Sequence, residues 1–205
     1  MKYRTLKEDE LLGLAKQLNA NRVKAIPKLV INLQEILYEL GMKSAQFLIE
    51  INSEDRFLSN GIDKLEFKFS ANKGSEFKLL KQSASGGEIS RIMLAIKSII
   101  ANYRKLPTLM FDEIDTGVSG EIANKMAAIM KDMSGKMQVF SITHLPQIAA
   151  KGKMHYKVYK SIQGNTTISE LKLLTFEERI VEIAEMLSGK DISDSALNHA
   201  KALLN

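Results

Sequence analysis

The 205-residue sequence contains no cysteine. That removes disulfides, thiolate catalysis and cysteine-based zinc sites together, and it fits a cytoplasmic setting. Histidine is scarce: His144, His155 and His199 are scattered, with no metal-ligand spacing among them. No apolar run approaches the roughly 18 residues that a membrane span needs, so no membrane partner is expected. The opening Met1-Lys2-Tyr3-Arg4 leads into charged sequence with no apolar stretch behind it, so no secretory signal is expected. Asn165-Thr166-Thr167 matches the glycosylation sequon, which carries no weight without a secretory context. What is present is ordinary for a globular protein: 45% hydrophobic and 26% charged residues, enough for one domain with a sizeable core. The net charge of +5 leaves open a contact with nucleic acid or simply a solvated basic surface.

Residues 5–41 read as helix. Val23, Ile26, Val30, Leu33, Leu37 and Leu40 step by threes and fours, a coiled-coil-like seam too short for a long coiled coil and equally readable as an amphipathic helix pair. Pro27 predicts a break or a new helix start near Ala25–Pro27, and Gly41 a C-cap. Phe47 to Ile51 alternates like a strand, and Leu65, Phe67 and Phe69 alternate more clearly. Asn72-Lys73-Gly74 is a turn signal, with a short strand expected at Phe77–Leu80.

From Glu88 the pattern changes. Ile89, Met93, Ile96 and Ile100 mark a helix, and the short apolar run Thr108-Leu109-Met110-Phe111 follows. A helix is expected over 121–133 and a second apolar strand over Gln138–Ile142. Strand, helix, strand with continuous apolar strands predicts a parallel sheet buried on both faces. Strand candidates at 155–160 and 166–173 predict a hairpin across Gln163-Gly164-Asn165, and helices are expected at 175–187 and 194–204.

Four local features carry chemistry. Ser85-Gly86-Gly87-Glu88 opens a helix. A hydroxyl and free backbone N–H groups at the positive helix end make an anion site, but Ser85 with Glu88 three residues later is also a capping box, and taken alone that reading comes first. Leu109-Met110-Phe111-Asp112-Glu113 delivers two acids at a strand's carboxyl end, where open α/β sheets bind ligands. Adjacent acids there suit the support of Mg²⁺ and the polarisation of an attacking water; solvated acids at a strand end are the plainer alternative. Ser141-Ile142-Thr143-His144 ends a second strand in histidine. Ile114-Asp115-Thr116-Gly117-Val118-Ser119-Gly120 is a loop that, alone, is a turn. The acids follow Glu88 by about twenty residues and precede His144 by about thirty.

This ordered set resembles the signature motif, Walker B, D-loop and switch histidine of ABC-type ATPases. Glu88, where transporter subunits usually carry Gln, and the following Ile89-Ser90-Arg91 resemble the SMC-like branch. Phe111–Gly120 and Thr143-His144-Leu145-Pro146-Gln147 resemble its bacterial DNA-repair members. The resemblance runs from the helical region before Gly41 to the C-terminus and is densest over 84–150. It implies an α/β fold: the C-terminal lobe of an ABC-type ATPase head, a mostly parallel sheet flanked by helices, with residues 1–41 the root of a coiled coil and 42–205 the head lobe.

Position by position, it implies that Ser85, Gly86, Gly87 and Glu88 form the signature motif that contacts the γ-phosphate of ATP held by an opposing head. Asp112 would support Mg²⁺, Glu113 would be the general base, Asp115 would cross the dimer interface, and His144 would sense the γ-phosphate. No G-x-x-x-x-G-K-[ST] occurs in the chain, and Lys73-Gly74-Ser75 lacks the leading glycine and the following helix. In these ATPases that loop lies in an N-terminal lobe before the coiled coil. The chain is therefore expected to be a fragment or shortened form, inactive alone, with that lobe, a second head and DNA as partners at the nucleoid. Two other classes remain: a DNA- or partner-binding module without turnover, favoured by the missing loop, and, last, a transporter subunit. Lys97, Arg104 and Lys105 fit contacts to DNA or a solvated face.

Overall fold

The computed structural model describes residues 2–118, 120–163 and 166–205. Ser119 of the loop after Asp115, Gly164 and Asn165 of the expected hairpin turn, and with Asn165 the sequon, lie outside the described residues. The chain divides into two compact units, residues 1–99 and 100–205.

The first unit is built on α1 (Lys2–Glu39), one continuous helix with Pro27 inside it. The break expected near Ala25–Pro27 does not occur. An interior proline removes one helix hydrogen bond and crowds an earlier carbonyl, a cost of about 3 kcal/mol. Anchors on both sides carry the axis through it. Before Pro27, Asn19 and Arg22 donate to the Asp63 carboxylate at 2.8 and 2.7 Å; after it, Leu33, Leu37 and Leu40 are fully buried.

Gly41 ends the helix as expected. Its φ is 79°, its N–H bonds the Tyr38 carbonyl at 3.1 Å, and Met42 N–H bonds the Leu37 carbonyl at 2.8 Å. This is the paired bonding of a Schellman cap, and Met42 and Leu37, the residues that make its customary apolar contact, are both buried.

α1 packs on an antiparallel sheet of β1 (Gln46–Leu58), β2 (Gly61–Ser70) and the short β3 (Lys78–Leu79), in that order. The register pairs Phe47 with Phe69 and Ile49 with Phe67, so one apolar face forms from both strands. The Phe47 and Phe69 rings lie 5.3 Å apart. Asp63 continues this face, and the hydrogen bonds from Asn19 and then Arg22 hold its carboxyl below the ordinary carboxylate range. Gly74, with φ 83°, closes the predicted turn. The short α2 (Leu80–Ser83) leads to α3 (Gly86–Tyr103), whose last residues belong to the second unit.

The second unit contains β4 (Thr108–Asp112), α4 (Gly120–Ser134) and β5 (Gln138–Ile142). β4 and β5 pair in parallel, Thr108 opposite Gln138 through Asp112 opposite Ile142. The α/β class holds, but among the described residues parallel pairing stops at these two strands, and the larger share of pairing is antiparallel. A parallel neighbour needs a crossover, and between β4 and β5 the helix α4 supplies it. The other strand runs lie close enough in sequence to close as antiparallel hairpins or a meander.

Burial on both faces is also corrected. Phe111 is buried, whereas Met110, Phe140 and Ile142, which share the other face, are 62%, 41% and 53% exposed. After α5 (Pro146–Lys151) come the antiparallel pair β6 (Tyr156–Gln163) and β7 (Thr166–Leu173), then α6 (Phe176–Ser188) and α7 (Asp194–Leu204). Ala150, Ile183, Ala184, Ala196 and Ala200 form the core where α5, α6 and α7 meet. Arg179 of α6 donates to the carbonyls of Ala150 and Gly152 at 3.2 and 2.7 Å, fastening the end of α5.

Candidate functional site

The start of α3 carries the first group of predicted residues. Ser85 and Glu88 form both halves of the capping box: Glu88 accepts from the Ser85 N–H at 2.7 Å, and Ser85 Oγ accepts from the Glu88 N–H at 3.4 Å. The capping reading therefore describes the chain as it stands. Packing does not explain Gly86 in the same way. A Cβ at Gly86 would meet nothing within 4 Å, so the chain's own core leaves the space beside this helix end open.

The second group sits at the carboxyl ends of β4 and β5. Asp112 is the last residue of β4 and faces outward with Met110. Glu113 extends the ladder by one bond, its N–H to the Ile142 carbonyl at 3.2 Å. Its backbone then turns into the left-handed region at φ 45°, the sole non-glycine to do so among the described residues. The Glu113 carbonyl accepts from the Thr116 hydroxyl at 3.0 Å and from the Thr116 N–H at 3.3 Å. These bonds hold a conformation that costs a residue with a Cβ about 1–3 kcal/mol and that clusters at functional sites. Both carboxylates are exposed. His144 follows β5 by two residues with its side chain 66% exposed. Two parallel strands thus bring Asp112, Glu113 and His144 to one sheet end.

The side chain of Asp115 is fully buried within its own unit, the loop around it anchored by buried Ile114 and Val118. One carboxylate oxygen accepts a short hydrogen bond from the Thr143 hydroxyl and lies 3.7 Å from His144 Nδ1. Thr143 Oγ1 in turn accepts from the Leu145 N–H at 3.0 Å. Thr143 is named from sequence only within the runs around His144 and is given no role there; its one signal is a hydroxyl side chain directly before the histidine.

No group of three or more histidine or acidic residues able to hold a metal ion occurs among the described residues. The donor set at the end of β4 is two exposed carboxylates. That set suits Mg²⁺, an oxygen-seeking ion that keeps several waters and takes one or two carboxylates beside substrate phosphates. Asp112 is the residue that would support it.

The fold is that of an SMC head: the chain aligns with the Smc head domain with coiled coil and joint from Pyrococcus yayanosii at TM-score 0.59 and 19% identity, over 81% of this chain and 30% of that one. A second structure, described by ATP-driven dimerisation and DNA-stimulated activation of SMC ATPases, aligns at TM-score 0.52 and 21% identity, over 82% of this chain and 97% of that one. In sequence, the chain is similar to the DNA repair protein RecN: it is 38% identical to RecN of Rickettsia typhi over 98% of its own length. It spans 36% of that relative, consistent with the C-terminal portion that its motif order implies. No protein-family model matches the chain. Among the described residues, no helix is long and apolar enough to cross a membrane.

Proposed function

We propose that the chain is the part of an SMC-like DNA-repair head that supplies the signature motif, Walker B acids, D-loop and switch histidine to ATP hydrolysis. The observation that carries this is the convergence of Asp112, Glu113 and His144 at the carboxyl ends of paired parallel strands, in a chain similar to RecN. Glu113 accepts a proton from the water that attacks the γ-phosphate, and His144 contacts that phosphate. Asp112 supports Mg²⁺, which supplies charge neutralisation on the phosphates when bound. Ser85, Gly86, Gly87 and Glu88 serve the ATP of an opposing head, their N–H groups facing the charge that develops there; the open space beside Gly86 supports that assignment.

The remaining parts follow the same reading. Residues 1–41 are the root of a coiled coil and 42–205 the head lobe. The P-loop is contributed by an N-terminal lobe, and the exposed Met110, Phe140 and Ile142 give that lobe an apolar strand face to cover. Two such heads close on ATP as a homodimer, in the cytoplasm and on DNA.

The test is Mg²⁺-ATP hydrolysis by this chain alone and mixed with the P-loop lobe of the same parent protein. Hydrolysis confined to the mixture, lost in Glu113→Gln with the engaged dimer trapped, is the expected result. A mixture that assembles without hydrolysing ATP moves the chain to a DNA- or partner-binding module, and normal turnover in Glu113→Gln removes Glu113 as the base.

A further inference from the structure

We infer that Asp115 acts inside its own chain as the positioning residue for His144, with Thr143 as the bracket that joins them. The consequence for catalysis rests on His144 having the role proposed above; the positioning itself does not.

Three observations meet here. Asp115 is fully buried; its Oδ2 is bonded inside this unit, and its Oδ1 has no hydrogen-bond partner among the described residues. A buried carboxylate is costly unless hydrogen-bonded, and the bonded partner of this one is the Thr143 hydroxyl, 28 residues away in sequence. Thr143 Oγ1 also accepts from the Leu145 N–H at 3.0 Å. One hydroxyl therefore ties the backbone on both sides of His144 to a fixed acid.

The second effect is electrostatic. The same carboxylate oxygen lies 3.7 Å from His144 Nδ1, beyond hydrogen-bond length but well inside charge range. A negative charge on that side of the ring favours the proton on Nδ1. In a neutral imidazole the other nitrogen then carries the lone pair. Nε2 becomes the free acceptor of an exposed ring whose backbone is pinned. Asp115 thus sets both the place of His144 and which nitrogen of its neutral ring carries the proton, without touching substrate; a phosphate oxygen, itself an acceptor, is bonded by Nε2 only when that nitrogen too is protonated.

The experiment is long-range ¹H–¹⁵N correlation of the histidine rings in this 205-residue chain, well above the ordinary imidazole pKa of about 6.5. His144 is expected mainly as the Nδ1–H tautomer. Asp115→Asn, of the same shape but without the charge, shifts it mainly to Nε2–H, while His155 and His199 keep their signals. Thr143→Val, the second variant should Asp115→Asn fail to fold, moves the His144 ratio the same way by a smaller amount. A parent chain with His144 already mainly Nε2–H, or a folded variant of either kind with an unchanged ratio, overturns the inference. Hydrolysis in the head assembled with the P-loop lobe separates the two readings: a normal rate in His144→Ala removes the γ-phosphate role and leaves the tautomer result standing.

Discussion

Glu113 holds its backbone at φ 45°, and that conformation has a measurable cost. In the left-handed region a Cβ crowds the following carbonyl by about 1–2 kcal/mol. Glycine escapes the crowding but gives up about 0.5–1 kcal/mol of extra chain freedom on folding. Glu113→Gly and Glu113→Ala both delete the same exposed carboxylate, so the comparison between them isolates the backbone. The difference favours glycine by about 0.5–1 kcal/mol, or about 1–4 °C in Tm for a chain of this size. Urea and thermal unfolding of the two variants, followed by circular dichroism, measure it. Glu113→Gln keeps the Cβ and is expected to melt with the parent. On the role proposed for Glu113, all three variants lose the general base in the assembled head, a loss of about 10²–10⁴ in rate. The glycine variant would therefore be the more stable and the less active protein, the signature of strain kept for function. An alanine variant as stable as the glycine variant, or more so, refutes the reasoning: the turn would then tolerate a Cβ without cost.

Other expectations follow from packing and charge. Leu37→Ala opens a cavity under the Schellman cap, where Leu37 is fully buried, and should cost about 2–5 kcal/mol in urea unfolding. Burial, and next the Arg179 charge, hold His155 below its ordinary 6.5, so the folded state takes up its proton later than the unfolded chain. Stability from this group is complete above pH 6.5 and is lost as pH falls below it; unfolding midpoints between pH 7.5 and 5.5 should fall less steeply in His155→Gln. Asp63 is held below its ordinary 3.8 by Asn19 and Arg22, so its contribution is present above pH 3.8 and lost as pH falls through the lowered value. Arg22→Met should destabilise the chain at neutral pH and flatten that acid limb in a pH series of melts.

What the sequence disclosed, and what it withheld, divides by range. β5 over Gln138–Ile142 and the helices after β7 were legible because periodicity and caps act within a few residues. α5, six residues long, is too short to show a period. Pro27 misled because a local rule met tertiary anchors at Asp63 and in the Leu33–Leu40 core. The apolar strands predicted two covered faces, but covering elements are a property of the assembled sheet, and Met110, Phe140 and Ile142 stand open.

Asp115 is the sharpest case. Acids in loops are ordinarily solvated, and the family resemblance directs this one outward to a dimer interface. Its partner is a threonine hydroxyl 28 positions later, brought near only because β4 and β5 pair in parallel and in that register. The motif positions could be read in one dimension because each lies at an element end. The bond between Asp115 and Thr143 could not, because it exists only across the register of two strands.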